Sequence, residues 1–161
     1  MSADGARIRP YRRGEQAAVW AVFQAAVRIG AASWYSEAER QEWAEPAEVP
    51  PELDDWLCKQ ITLVAEEDGR ITGYMTLQTD AHLDLAFVLP ERMGTGLADR
   101  LHAALLERAR AAGMTRLTVD ASRFAQSFFG RMGWRPAQDP RQDAGENPEH
   151  RPMQIDLGEG P

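Results

Sequence analysis

The residues best suited to chemistry in this chain are backbone groups. Gly94, Thr95 and Gly96 stand directly before an apolar period of Leu97, Leu101, Leu105, Ala109 and Ala112, with Ala104 beside it. That period predicts an amphipathic helix whose polar side carries Asp99, Arg100, Glu107, Arg108 and Arg110. The glycines let the backbone approach a ligand and take positive φ without a Cβ penalty. The first four amides of a helix have no internal partner, and the dipole adds about half a positive charge at that end. An anion such as a pyrophosphate fits there without a basic side chain. A tight strand-to-helix turn with no ligand is the other reading of the same residues. Two rival phosphate motifs do not apply. One would need a further glycine at Asp99, and the other a Gly-Lys-Ser/Thr sequence that the chain lacks.

Titratable side chains near this turn are few. Asp84 interrupts the apolar run Leu83 to Val88. A carboxylate in such a strand is costly unless it is paired or functional, so Asp84 is either a base or acceptor contact, or a hydrogen-bonded structural aspartate. His82 has an imidazole that titrates near neutrality, with simple exposure as the alternative. Glu66 is a weaker candidate. Cys58, beside Trp56 and Leu57, reads as a buried structural thiol.

The surrounding elements follow from periodicity and breakers. Ala6 to Pro10 reads as a first strand. A helix with a wide apolar stripe runs from Ala17 to Val27 and ends at Gly30. Trp34 and Tyr35 lie in an irregular tract, and Ser36 with Glu39 signs a capping box for a short helix through Trp43. Prolines 46, 50 and 51 break the chain before another short helix over Glu52 to Gln60. Ile61 to Glu67 and Arg70 to Gln78 flank Asp68-Gly69, a strong hairpin signal. His82 to Leu89 is a third strand of this meander. After the long helix, stopped by Gly113, come a strand at Thr115 to Asp120, a helix capped by Ser122 and running to Met132, a strand from Trp134, a polar loop over Pro136 to Glu149 and a last strand at Met153 to Leu157. The expected fold is α/β, with about seven mostly antiparallel strands, one parallel pair made by a right-handed crossover, and four or five helices.

Length and charge bound the function. The 161 residues are expected to form a single domain. A net charge of -7 argues against nucleic acid or an anionic membrane as partner and favours a cationic acceptor such as an amine. One cysteine leaves no internal disulfide and fits a reducing cytoplasm. No signal-peptide pattern stands at the N-terminus, and no apolar run nears the ~18 residues of a membrane span. No metal site is expected.

The run Val88-Leu89-Pro90-Glu91-Arg92-Met93-Gly94-Thr95-Gly96-Leu97-Ala98 resembles the acetyl-CoA-binding motif of the GCN5-related N-acetyltransferases, usually a valine, a proline, then Gln/Arg-Gly-x-Gly-x-Gly/Ala. Further along, Ser122 to Trp134 resembles that family's closing helix and strand, commonly Asn-x-x-Ala-x-x-Phe-Tyr-x-x-x-Gly-Phe. The resemblance implies acetyl-CoA as co-substrate and an amine of a small molecule or peptide as acceptor, with no metal; a homodimer is compatible with it. It places Met93, Gly94, Thr95, Gly96, Leu97 and Ala98 around the diphosphate and the Phe87-Val88 backbone against the pantetheine and thioester. Ser122 and Phe129 fall along the same arm, with Asp84, His82 and Ser122 as catalytic candidates. Trp34, Tyr35 and Trp43 fall in the region that covers the acceptor end of the cleft, and they read equally as packing aromatics. The chain departs from the pattern at Met93, at Ser122 and at Phe129, where many members carry a tyrosine thought to protonate the leaving thiolate. A non-catalytic acyl-CoA-binding module is the alternative that Phe129 leaves open.

Overall fold

A computed structural model describes residues 5–30, 48–137 and 150–158. Seven strands form one sheet in the order β1-β2-β3-β4-β5-β7-β6. The strands are β1 (Arg7–Pro10), β2 (Ile61–Glu67), β3 (Arg70–Leu77), β4 (His82–Val88), β5 (Arg116–Ala121), β6 (Arg135–Pro136) and β7 (Arg151–Asp156). All neighbours are antiparallel except β4 and β5, as the crossover through the long helix requires. The described α-helices are α1 (Gln16–Ala25, continued by a π-helical turn at Ala26–Gly30), α2 (Leu53–Cys58), α3 (Leu97–Ala111) and α4 (Arg123–Arg131). Among the described residues no helix is long and apolar enough to cross a membrane.

The sheet separates two apolar clusters. On one face Leu97, Leu101, Leu105 and Ala109 of α3 are fully buried against Leu63, Met75, Leu83, Leu117 and Val119. On the other, Val19, Val22 and Phe23 of α1 and Leu57 of α2 pack on Val64, Ile71 and Tyr74. Truncating a fully enclosed leucine such as Leu101 to alanine costs about 2–5 kcal/mol. The predicted Asp68-Gly69 hairpin forms, with positive φ at both residues, 52° and 79°, so the turn twist matches the strands. Helix α3 ends in a Schellman motif: Met114 N–H donates to the Ala109 carbonyl and Gly113 N–H to that of Arg110, each at 3.0 Å. The same closure ends α4, where Trp134 N–H donates to the Phe129 carbonyl at 2.9 Å. The two rings then meet with centroids 5.0 Å apart.

Several expectations change. Cys58 is exposed, because α2 turns Leu57 into the core and the following residue outward. Ser122 occupies the position before α4, but its side chain makes no capping hydrogen bond. The strand after Trp134 is only the pair Arg135–Pro136. Ala112 closes α3 as an exposed residue and is not part of its apolar stripe. The predicted helix through Trp43 lies outside the described residues.

Candidate active site

The parallel pair is short. Strands β4 and β5 are in register only at His82↔Thr118 and Leu83↔Val119. Beyond that point β4 continues to Val88 and β5 to Ala121 without pairing to each other. The sheet is therefore forked, and the backbone on either side of the fork needs polar partners.

A β-bulge sets what faces this fork. Leu83 pairs with Leu77 and Leu85 with Thr76, so Asp84 is an extra residue in β4. A bulge inverts the alternation of side chains. Leu83 sits in the α3-side core, whereas Leu85, two residues later, packs on the α1 side with Phe87. The Thr76 hydroxyl accepts the Leu85 N–H at 3.0 Å, and the Thr72 carbonyl accepts the Leu89 N–H at 2.8 Å. With those two amides aimed at β3, strand alternation turns the Ala86 and Val88 amides into the fork, while Phe87 N–H faces β3.

The glycine turn lies just past the end of β4. Gly94 and Gly96 have φ of +74° and +89°, and a Cβ on either would meet no atom within 4 Å. The backbone faces open space there. Among the described residues, the amides of Gly94, Gly96, Leu97 and Ala98 have no backbone acceptor. Thr95 differs: its N–H donates to the Arg92 carbonyl at 3.3 Å, and its hydroxyl donates to the same oxygen. The loop itself is pinned by Arg92, whose Nε donates to Glu67 Oε2 at 2.7 Å and braces the turn against the β2–β3 hairpin, while the same residue also lines the cleft beside the turn.

A cleft of about 510 Å³ joins the turn to the fork, with Met93, Gly94, Gly96 and Ala98 at one end and Ala86 and Phe129 at the other. Arg131 of α4 crosses to Asp99 of α3 at its mouth, at 3.1 and 3.2 Å, and lies over the Phe128 ring 5.5 Å from its centroid. A second cleft of about 250 Å³ holds His82, Asp84, Asp120, Ser122 and His150. Ala86, Phe87, Ala125 and Phe129 line both, so the two meet through the fork. A linear molecule with an anionic end fits the first cleft, with its far end emerging among carboxylates and imidazoles in the second.

Predicted residues distribute as follows. Phe87, Val88, Met93, Gly94, Gly96, Ala98 and Phe129 line the first cleft or the fork, and His82, Asp84 and Ser122 the second. The Leu97 side chain is fully buried, which leaves only its backbone to face the turn's open side. Burial pushes the Asp84 carboxyl above its ordinary value, opposed by a hydrogen bond from Gln78 and by His82. His82 is part-buried, its Nδ1 2.8 Å from Thr118 Oγ1. Trp34, Tyr35 and Trp43 lie outside the described residues. Sequence reasoning missed Asp120, whose Oδ2 lies 3.1 Å from His150 Nδ1. It also missed His102, buried in α3, whose Nε2 accepts from Trp134 Nε1 at 2.9 Å. Local periodicity carries no signal for contacts that span such distances along the chain.

The family model described as acetyltransferase (GNAT) domain matches residues 16–157. An uncharacterized N-acetyltransferase of Escherichia coli K12, YafP, is 30% identical over 135 residues, covering 84% of this chain and 85% of that protein. A GCN5-related N-acetyltransferase of Rhodopseudomonas palustris superposes with a TM-score of 0.83 at 30% identity, over 97% of this chain and 98% of the other. The PaiA N-acetyltransferase of Thermoplasma acidophilum, solved in complex with coenzyme A, shares the fold at a TM-score of 0.79 and 15% identity, over 94% and 98% of the two chains. With the forked sheet and the glycine turn at its mouth, these matches show that the chain belongs to the GNAT acetyltransferases, acyltransferases whose co-substrate is acetyl-CoA.

Proposed function

We propose that this protein moves an acetyl group from acetyl-CoA to a primary amine of a small molecule or peptide by direct attack, without an acyl-enzyme. The observation that carries this reading is the continuity of the two clefts through the fork, which joins an amide-lined anion cradle to a carboxylate-bearing pocket. In it, the Gly94, Gly96, Leu97 and Ala98 amides hold the diphosphate, with Met93 and the Thr95 bend shaping the loop. The Val88 and Ala86 amides meet the pantetheine or thioester oxygen, and Phe129 and Ser122 border the arm.

A thioester is already activated, so the protein has to position the amine, take a proton and support the oxyanion. Positioning in near-attack geometry supplies several kcal/mol of the barrier, and one aimed amide adds roughly 3 kcal/mol. An amine acceptor arrives as ammonium. Asp84 takes one proton, the free amine attacks the thioester carbon, the C–S bond breaks, and the thiolate leaves with the second proton that nitrogen sheds. The products are the N-acetyl amide, free thiol and one proton. Burial that raises the Asp84 carboxyl makes it a better base than an exposed aspartate. His82 is the second candidate for this proton. Phe129 has no hydroxyl, so thiolate protonation falls to water or another group. Trp34, Tyr35 and Trp43 are proposed acceptor contacts.

Purified protein with acetyl-CoA and a panel of primary amines should release free thiol. A CoA-induced rise in melting temperature with no thiol release across the panel would instead support a non-catalytic acyl-CoA-binding module, the reading that Phe129 leaves open.

A further inference from the structure

Four rings close a circuit behind the first cleft. His102 meets Phe128 edge-on with centroids 5.8 Å apart, and Phe128 meets Phe129 at 5.2 Å. Phe129 meets Trp134 at 5.0 Å, and Trp134 returns to His102 at 6.1 Å. Phe128 and Phe129 line the first cleft, whereas His102 and Trp134 stand behind them and are buried. One hydrogen bond ties the circuit between α3 and the residue that follows α4: the Trp134 indole N–H donates to His102 Nε2 at 2.9 Å. An indole only donates, so His102 Nε2 is unprotonated and the ring's single proton is on Nδ1. An imidazolium carries a proton on both nitrogens, and two N–H groups would then face each other in a buried site. Packing alone does not call for this ring, since Leu101 and Leu105 of the same helix fill neighbouring buried positions with no such liability.

We propose that His102 is a positioning residue for the cofactor: its bond to Trp134 sets the Phe128 and Phe129 rings against the acetyl-CoA arm, and a proton on His102 opens the circuit and weakens cofactor binding. The proposal rests on the placement of CoA in the first cleft under the reading above. By linkage, CoA binds the protein with neutral His102 more tightly, and bound CoA in turn resists protonation of that ring. Burial holds the imidazole below its ordinary value, so the bond is intact at neutral pH and CoA affinity falls in acid. Charged neighbours do little to hold an added proton. Asp99, one turn earlier on α3, favours it but is bonded to Arg131 of α4, which lies over the Phe128 ring. Arg135, next to Trp134, is exposed and bonded to Asp156. Beneath α3 the sheet presents apolar side chains, Met75, Leu117 and Val119 among them.

Solvent exchange of the Trp134 indole proton, followed by NMR on the full chain, reads the bond directly, because exchange requires the circuit to open. Among the chain's five tryptophans its signal is the one lost in Trp134→Phe. At neutral pH, saturating CoA should slow that exchange about tenfold. In calorimetric titrations His102→Leu should bind CoA about tenfold more weakly than wild type, and His102→Gln, whose Oε1 accepts the same indole proton, should stay within about threefold of it. Between about pH 7.5 and about pH 5.5 the wild type should lose CoA affinity more steeply than His102→Gln, since titration of CoA's own phosphate is common to both. An indole exchange rate unchanged by CoA, wild-type affinity in His102→Leu, or equal acid losses in wild type and His102→Gln would each overturn the proposal. If His102→Leu does not fold, the exchange rate in the wild type still decides. CoA binding that leaves the Gly94 to Ala98 amides unmoved would sink the placement of the cofactor and this proposal with it, whereas moved amides with an unchanged indole exchange rate would sink the role of His102 alone.

Discussion

Replacing Gly94 by alanine separates the cradle's role in binding from its role in the fold. At φ +74° an alanine suffers left-handed strain of about 1–2 kcal/mol. The lower entropy of the unfolded chain offsets about 0.4–1 kcal/mol of that. A net loss near 1 kcal/mol lowers the melting temperature by roughly 2–4 °C for a chain of this size. No protein atom lies within 4 Å of the new Cβ, so nothing else in the fold is disturbed. In the liganded protein the methyl projects into the cleft and pushes the diphosphate off its amides. Hydrogen bonds to a charged group are worth about 1.5–3 kcal/mol each, so loss of one or two weakens CoA binding on the order of 100-fold. Gly69 is a matched control: φ is +79°, a Cβ there also meets nothing within 4 Å, and it lies in the β2–β3 hairpin away from the cleft. Gly69→Ala should lower the melting temperature to a similar degree and leave CoA affinity unchanged. Calorimetric titration of CoA into both variants and the wild type decides the matter. A CoA affinity for Gly94→Ala within threefold of wild type, alongside the expected loss of stability, would refute the cradle.

Asp84→Asn should lower turnover by 100-fold or more while sparing CoA affinity. Because burial raises the Asp84 carboxyl, the acid limb of the wild-type pH–rate profile should fall above the ordinary aspartate range and disappear in the variant, as read by thiol release across pH. Trp134→Phe strands the His102 Nε2 without its donor, 2.9 Å away in the wild type, and should cost about 1–3 kcal/mol in denaturant unfolding. Burial holds the His102 imidazole below its ordinary value, so the unfolded chain binds the proton more readily than the folded one. Stability that is full above pH ~6.5 should therefore decline as pH falls below it, and His102→Gln should flatten that slope. Arg9 is buried and bonds Glu15 and Glu66 at 2.7 Å each, and these contacts hold both carboxyls below their ordinary range. That contribution is present above the unfolded carboxylate pKa and lost as pH falls through the folded values, so Arg9→Met should weaken the acid-induced drop in melting temperature.

The order of elements was legible because local periodicity encodes it. The α3 stripe of Leu97, Leu101, Leu105 and Ala109 is fully buried as its spacing implies, and the Asp68-Gly69 turn takes the backbone its residues favour. The glycine turn could be located from the sequence for the same reason. The fork could not, because the register of a parallel pair depends on strands brought together by a whole intervening helix. The bulge at Asp84 was equally hidden. One extra residue moves Leu85 to the opposite face from Leu83, and nothing in LDLAFV marks it. Asp84 drew notice as a charge among apolar neighbours, whereas Asp120 alternates with Leu117, Val119 and Ala121 as any polar strand residue does. Its pairing with His150 joins the end of β5 to the start of β7, a contact set by the sheet order alone. Cys58 was misjudged because two apolar neighbours say little about a helix of one and a half turns.

Backbone amide shifts during CoA titration test the central claim most directly. The account predicts large downfield shifts for the amides of Gly94, Gly96, Leu97 and Ala98, smaller ones for Ala86 and Val88, and little change for Thr95, whose N–H is already taken by the Arg92 carbonyl. Saturable CoA binding that leaves the Gly94 to Ala98 amides unmoved would contradict it.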